Sequence, residues 1–147
     1  MKLALLQAKK AYEIGEVPVG CIAVKDKEVI ARAYNKKEIM NDPTMHAEIL
    51  LIKKLSKKRK SWRLNDGITI YSTLEPCIMC MGALLHARID RLVFGAYDKK
   101  FGAAQSLYKL ASDNRLNHNF TVLGGVLEEE SITMLKEFFK NLRNKEK

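Results

Sequence analysis

The sequence predicts an α/β protein, a three-layer α-β-α sandwich around a five-stranded mixed sheet. Three observations predict it. Short β-branched apolar runs alternate with longer segments whose apolar residues recur at helical spacing, the pattern of strands interleaved with helices. The first two apolar runs are separated by only a polar turn, Lys25-Asp26-Lys27-Glu28, so they form a hairpin and make the sheet mixed. The length of 147 residues suits one domain, residues 1–147, with room for a real core.

Residues 1–14 carry Leu3, Leu6, Ala8 and Tyr12 among lysines and read as a helix ending near Gly15. Val17 to Val24 is a short run rich in β-branched residues, hence a buried strand, and Val29 to Tyr34 is its hairpin partner. Asn35 to Thr44 is polar and contains Asp42-Pro43, a loop that delivers the chain to a helix start. His46 to Lys58 is that helix: Ile49, Ile52 and Leu55 face inward, Lys53, Lys54, Lys57 and Lys58 outward, and Thr44 is the expected N-cap. Ile68 to Leu74 follows the Asn65-Asp66-Gly67 turn as a strand, and Pro76 opens a second core helix over Cys77 to His86. Arg91 to Ala96 is the next strand, Asp98 to Ser112 mixes loop and helix, and Phe120 to Leu123 is a strand stopped by Gly124-Gly125. Glu128 to Arg143 is the last helix, with Glu128, Glu129 and Glu130 at its start and Lys140, Arg143 and Lys145 at its end, as the helix dipole prefers.

The net charge is +9, from 26 Lys+Arg against 17 Asp+Glu. Such a balance attracts polyanions, nucleic acid first and an anionic membrane surface second; a solvated Lys-rich surface is the plain alternative. No apolar run approaches the roughly 20 residues of a membrane helix. Met1 to Ala11 lacks the apolar core and cleavage pattern of a signal peptide, so the expected location is cytoplasmic. There are 3 cysteines, two of them in a C-x-x-C, which favours metal or redox use over a disulfide framework.

The most informative residues are His46-Ala47-Glu48 and Pro76-Cys77-Ile78-Met79-Cys80. H-x-E followed by P-C-x-x-C is the known signature of zinc-dependent nucleobase deaminases. His46, Cys77 and Cys80 supply three ligands, and a catalytic Zn²⁺ keeps its fourth position for water. The ion lowers the pKa of that water toward about 7, and Glu48 is free to move protons. A thioredoxin-like pair would leave the H-x-E unexplained. A structural zinc would need a fourth ligand from Cys21, His86 or His118. Cys21 reads instead as a small buried residue and His86 as packing at its helix end. Met40, Met45, Met79 and Met81 read as core or pocket wall.

Further stretches accompany the motif: Glu16-Val17-Pro18-Val19-Gly20, Asn35, Asp42-Pro43-Thr44, Thr73-Leu74-Glu75, Val93-Phe94-Gly95-Ala96, Gly102-Ala103-Ala104, Asn117-His118 and Phe138-Phe139. In these, over nearly its whole length, the chain resembles the cytidine deaminase-like superfamily and, within it, the bacterial tRNA adenosine deaminases. The zinc motif alone fits cytosine, guanine or cytidine deaminases; the Phe94 to Leu107 segment and the Phe138-Phe139 helix point to the tRNA branch. The resemblance implies a homodimer that hydrolyses the wobble adenosine of tRNA anticodons to inosine, with one Zn²⁺ per subunit on His46, Cys77 and Cys80 and Glu48 as proton shuttle. It implies that Asn35 hydrogen-bonds the purine and that the Ala47 and Cys77 N–H groups place the attacking oxygen. It further implies that Asp98 meets the neighbouring nucleotide's sugar and that Phe138, Phe139 and Arg143 border the anticodon loop. Met45 and Gln105 depart from the family, which favours small residues there. The alternative is a deaminase of free guanine or cytosine/cytidine with the same zinc site. Lys53-Lys54, Lys57 to Lys60, and Lys136, Lys140, Arg143, Lys145 and Lys147 are expected to meet phosphates or to form solvated helix faces, and Trp62 to stack or to pack its loop.

Overall fold

Asp26 and Lys27 both take left-handed backbone conformations, φ 50° and 65°, as a two-residue type I′ hairpin turn requires. In the computed structural model, which describes all 147 residues, they join β1 (Gly20–Lys25) to β2 (Glu28–Tyr34). Three more strands complete a 5-stranded sheet, β3 (Thr69–Leu74), β4 (Arg91–Ala96) and β5 (Thr121–Leu123), in the order β2-β1-β3-β4-β5. β1 runs antiparallel to both neighbours, and the β3–β4 and β4–β5 pairs are parallel. The predicted mixed sheet is therefore present.

Helices α1 (Lys2–Glu13) and α4 (Glu128–Lys145) touch each other and cover one face; α2 (Ala47–Arg59) and α3 (Ile78–Ala87) pair on the other. The main core lies on the α2/α3 side, where Leu51, Leu55, Met81 and Leu84 meet Ile70, Leu92 and Phe94. On the opposite face, α1 buries three alanines, Ala4, Ala8 and Ala11, together with Gln7. The helix consequently lies so close to β1 that a Cβ on Gly20 would overlap the backbone of Ala4 and Ala8. No helix is long and apolar enough to cross a membrane.

Several local expectations are corrected. Val17 to Val19 is not strand: Pro18 has no N–H to give a ladder, Val19 N–H turns back to the Val17 carbonyl at 2.8 Å, and β1 starts at Gly20. Thr44 does not cap α2. Its N–H and hydroxyl donate to Asp42 Oδ1 at 2.8 and 2.6 Å in a local turn, and His46 is the N-cap residue. The segment after Asp98 is mostly turns, with a single 3-10 turn at Leu110–Ser112. The final helix runs on to Lys145. Met45 and Met81 are interior, but Met40 is exposed on its loop. Two lysines of α2 do not simply face outward: Lys54 Nζ donates to the Arg32 carbonyl at 2.7 Å and Lys58 Nζ to the Ile30 carbonyl at 3.2 Å, both on β2. Trp62 is exposed, with the Arg63 guanidinium over its ring at 4.5 Å.

Candidate active site

His46 and Cys77 occupy equivalent positions. Each is the extended N-cap residue of its helix, with φ/ψ of −70°/157° and −72°/175°. The N-termini of α2 and α3 thus converge, bringing unpaired N–H groups and partial positive charge to one point. Cys80, one turn into α3, faces the same point. His46 Nδ1 lies 3.7 Å from Cys77 Sγ and 3.6 Å from Cys80 Sγ, and the three donor atoms lie within 4.8 Å of one another.

This donor set fits zinc. Usual Zn–N and Zn–S bond lengths at a tetrahedral angle put nitrogen and sulfur about 3.6 Å apart, the separation seen here. The group contains three donors. His118 is committed elsewhere, its Nε2 lying 2.7 Å from the Ile89 carbonyl oxygen, and His86 is solvent-exposed. The electrostatics favour a metal as well. The Cys77 thiol is pushed down to about 4 by the hydrogen bond from Cys80, against burial and with help from His46. Cys80 keeps its proton because of that same bond, its burial and the nearby Glu48 charge. A metal ion would displace that remaining proton.

Glu48, in the first turn of α2, is 4% exposed. Its Oε2 lies 3.2 Å from Cys80 Sγ, and its Oε1 is held by the Ser72 hydroxyl at 2.9 Å. Burial raises its pKa above the usual carboxylate value, so it can hold and release a proton closer to neutral pH. The Ser72 hydroxyl also lies 2.8 Å from the Leu74 carbonyl, tying the carboxylate to the strand that leads into Cys77.

Two buried acids hold the two loops beside the cluster. Glu16 Oε1 accepts the Ile39 N–H at 2.7 Å, and its Oε2 faces Asn35 Nδ2 at 3.5 Å. Glu75 takes more bonds. Its Oε2 accepts backbone N–H groups of Ala104, Gln105 and Ser106 at 3.1, 2.8 and 2.9 Å, while Oε1 accepts the Asp98 N–H at 3.1 Å and the Ser106 hydroxyl. Burial pushes the Glu75 carboxyl up, but these bonds outweigh it and hold the group below its usual value. A bridge between Cys77 and Gly102 lays this loop against the donor cluster, and a Cβ on Gly102 would overlap the Glu75 carboxyl.

The remaining expected residues are placed unequally. Asn35 is buried, its amide donating to the Val17 carbonyl at 3.2 Å and accepting the Lys37 N–H at 3.2 Å. Asp98 Oδ1 accepts the N–H groups of Lys100 and Phe101 at 2.9 and 3.2 Å, stiffening the rim. Ala47 is the first residue of α2, between His46 and Glu48. Phe138 is corrected: it is 8% exposed, packed edge-to-face on Tyr12 at 5.8 Å, and so belongs to the α1/α4 interior and not to a border of the site. Phe139 and Arg143 are exposed on α4. Asn141 Nδ2 donates to Tyr12 Oη at 2.7 Å, which ties this half of α4 to the end of α1 that leads to Glu16. Sequence reasoning assigns no role to Ser72, Glu16 or Glu75. The available signals are a serine within an apolar strand and lone acids beside Val17-Pro18 and Pro76.

Residues 1–143 match the MafB19-like deaminase family, so fold and donor group together define a deaminase. The tRNA-specific adenosine deaminase of Bacillus subtilis (strain 168) is 48% identical over 147 residues, spanning 100% of this chain and 91% of the relative. That of Aquifex aeolicus (strain VF5) is 46% identical over 144 residues, covering 98% and 94%. A solved structure from work on A-to-I editing by tRNA:A34 deaminases superposes with a TM-score of 0.87 at 43% identity, over 92% of this chain and 97% of that one. The chain belongs to the family of tRNA-specific adenosine deaminases. A guanine deaminase from Nitrosomonas europaea shares the fold, with a TM-score of 0.80 at 20% identity over 93% of this chain and 81% of that one.

Proposed function

We propose that the protein hydrolyses the wobble adenosine of a tRNA anticodon to inosine, releasing ammonia. The observation that carries this is a three-donor cluster beside the buried Glu48, in a chain whose full-length relatives are tRNA-specific adenosine deaminases. His46, Cys77 and Cys80 would hold one Zn²⁺ per subunit. Zn²⁺ held there would act as a Lewis acid and lower the pKa of a water toward about 7.

The chain's own residues do the rest. Glu48 takes one proton of the attacking water and passes it to the purine ring nitrogen; it then takes the second proton from the hydroxyl now on the ring carbon and gives it to the amine, which leaves as ammonia when the C–N bond breaks. The N–H groups at the starts of α2 and α3, those of Ala47 and Cys77 among them, stabilise negative charge on the attacking oxygen. Asn35, oriented through Glu16, contacts the purine. Asp98 lies on the rim toward the flanking sugar, where a 2′-hydroxyl distinguishes RNA from DNA. Phe139 and Arg143 border the anticodon loop. A stacked base cannot reach a site set back between two helix ends, so the substrate is an unpaired, splayed nucleotide. The protein works as a cytoplasmic homodimer.

The test is incubation of zinc-loaded protein with a tRNA carrying wobble adenosine, alongside free adenosine, guanine and cytidine. Inosine forms in the tRNA and not from the small molecules. Absence of inosine in the tRNA overturns the proposal, and turnover of a free base or nucleoside at a comparable rate would move it to the small-molecule deaminases. Glu48→Ala keeps the metal and loses turnover.

A further inference from the structure

Ser72 is a polar side chain where the pattern of β3 calls for an apolar one. Side chains two apart on a strand share a face, so Ser72 lies beside Ile70 on the side of the sheet that carries the main core. Its neighbours across the sheet are Cys21 on β1 and Phe94 on β4, and all three are 0% exposed. A hydroxyl enclosed in this way destabilises the fold unless it is bonded. An alanine or valine would satisfy the same face without that cost. The sheet therefore gives no reason for a hydroxyl at this position, and the reason lies with its partner.

That partner is Glu48, whose two carboxylate oxygens have unlike surroundings. Oε2 lies 3.2 Å from Cys80 Sγ and so faces the donor cluster, whereas Oε1 lies 2.9 Å from the Ser72 hydroxyl and faces the sheet. The same hydroxyl lies 2.8 Å from the Leu74 carbonyl. One hydroxyl hydrogen serves one acceptor at a time, and the charged carboxylate is the stronger acceptor of the two. The last torsion of a glutamate is broad and roughly two-fold. An unheld carboxylate would spread over many orientations and exchange its two oxygens. A donor fixed on a strand and aimed at Oε1 prevents both.

We propose that Ser72 is a positioning residue for the deamination: its hydroxyl holds Glu48 Oε1 against β3, so that Oε2 stays aimed at the donor cluster and carries every proton that Glu48 moves. The inference rests on the reading of Glu48 as the proton shuttle. A shuttle that collects a proton from one atom and delivers it to another needs a single oxygen within reach of both. Such alignment acts on the rate of the bound complex and not on the binding of substrate.

The experiment follows single-turnover deamination of an anticodon stem-loop carrying wobble adenosine at increasing concentrations of zinc-loaded protein. Ser72→Ala should lower the maximal rate by roughly 10- to 100-fold, the span of one hydrogen bond to a charged group. It should keep the half-saturating concentration and the zinc content of the parent. Ser72→Thr, which returns a hydroxyl, should run faster than Ser72→Ala. The parent's rate in Ser72→Ala overturns the proposal, as does a Ser72→Thr no faster than Ser72→Ala. So does a loss of zinc or a weakened half-saturation that accounts for the slower rate, because the role would then be structural. Glu48→Ala measured beside them separates the two readings. If it keeps the parent's rate, the shuttle reading fails; if it loses turnover while Ser72→Ala does not, only the role of Ser72 fails. A parent that forms no inosine in the stem-loop is assayed on guanine and cytidine, and the same comparison of variants decides there.

Discussion

The Glu75 carboxylate accepts the Gln105 N–H at 2.8 Å, joining the residue before Pro76 to a loop far along the chain. The same carboxylate serves Asp98, Ala104 and Ser106. Glu75→Gln keeps the size but sets an NH₂ group among N–H donors. It should cost about 1–3 kcal/mol, read as a lower midpoint in urea, with the loop of residues 98–106 exchanging its amide hydrogens faster. Glu75→Ala should cost more.

Metal removal should loosen the junction of α2 and α3, because His46, Cys77 and Cys80 are otherwise joined by long contacts of 3.6–3.7 Å. Treatment with a chelator should lower the melting temperature, and one equivalent of Zn²⁺ should restore it. A ligand at a thousandfold excess over its Kd stabilises by about 4 kcal/mol. Cys80→Ser should bind less zinc and show a melting temperature insensitive to the chelator.

The salt dependence of tRNA binding should separate the basic clusters. Lys54 and Lys58 are bonded to β2 carbonyls, whereas Lys140, Arg143 and Lys145 are exposed on α4. Replacing the α4 cations with alanine should flatten the plot of log K against log salt, by about 0.7 for each phosphate they neutralise. Lys54→Ala with Lys58→Ala should leave that slope unchanged and lower the melting temperature.

Phe138 and Phe139 are adjacent but differ in environment, 8% and 40% exposed. Phe138→Ala empties a core position and should cost about 3–5 kcal/mol. Phe139→Ala should cost under about 1 kcal/mol, as surface changes do, and should act on tRNA affinity instead. Denaturant titration and stem-loop binding measure the two effects.

Asp66 links the hairpin to the end of α2, bonding Lys25 Nζ at 2.6 Å and Arg59. Its carboxyl is held below the usual value, first by the hydrogen bond from Lys25 and then, against slight burial, by the Arg59 charge. A carboxyl with a depressed folded-state pKa stabilises above its unfolded pKa of about 4 and loses that contribution as the pH falls through the folded value. Asp66→Asn should therefore lower stability slightly at pH 7, and the difference from the parent should vanish in strong acid. The pH dependence of the melting temperature checks this.

The sheet, its four long helices and the donor set are legible in the sequence because each has a local signal. Periodicity marks the helices, β-branched runs mark the strands, and ligand spacing marks the cluster. Val17 to Val19 misleads because apolar composition does not reveal that Pro18 lacks a ladder donor. Phe138 misleads because two adjacent aromatics on a helix point in different directions, and only the packing of Tyr12 shows which one is covered. Ser72, Glu16 and Glu75 stay hidden for a different reason. Their partners lie elsewhere in the chain, and a lone polar residue in an apolar stretch does not say what it will bond.

Lys54 and Lys58 have a consequence beyond their two bonds. β2 is an outer strand of the sheet, and its outward carbonyls at Ile30 and Arg32 are where another chain's strand would attach. With an ammonium group on each, that edge is a poor template for strand addition. The lysines thereby protect the protein against edge-to-edge aggregation, which a basic surface read only as an RNA-binding feature would not reveal.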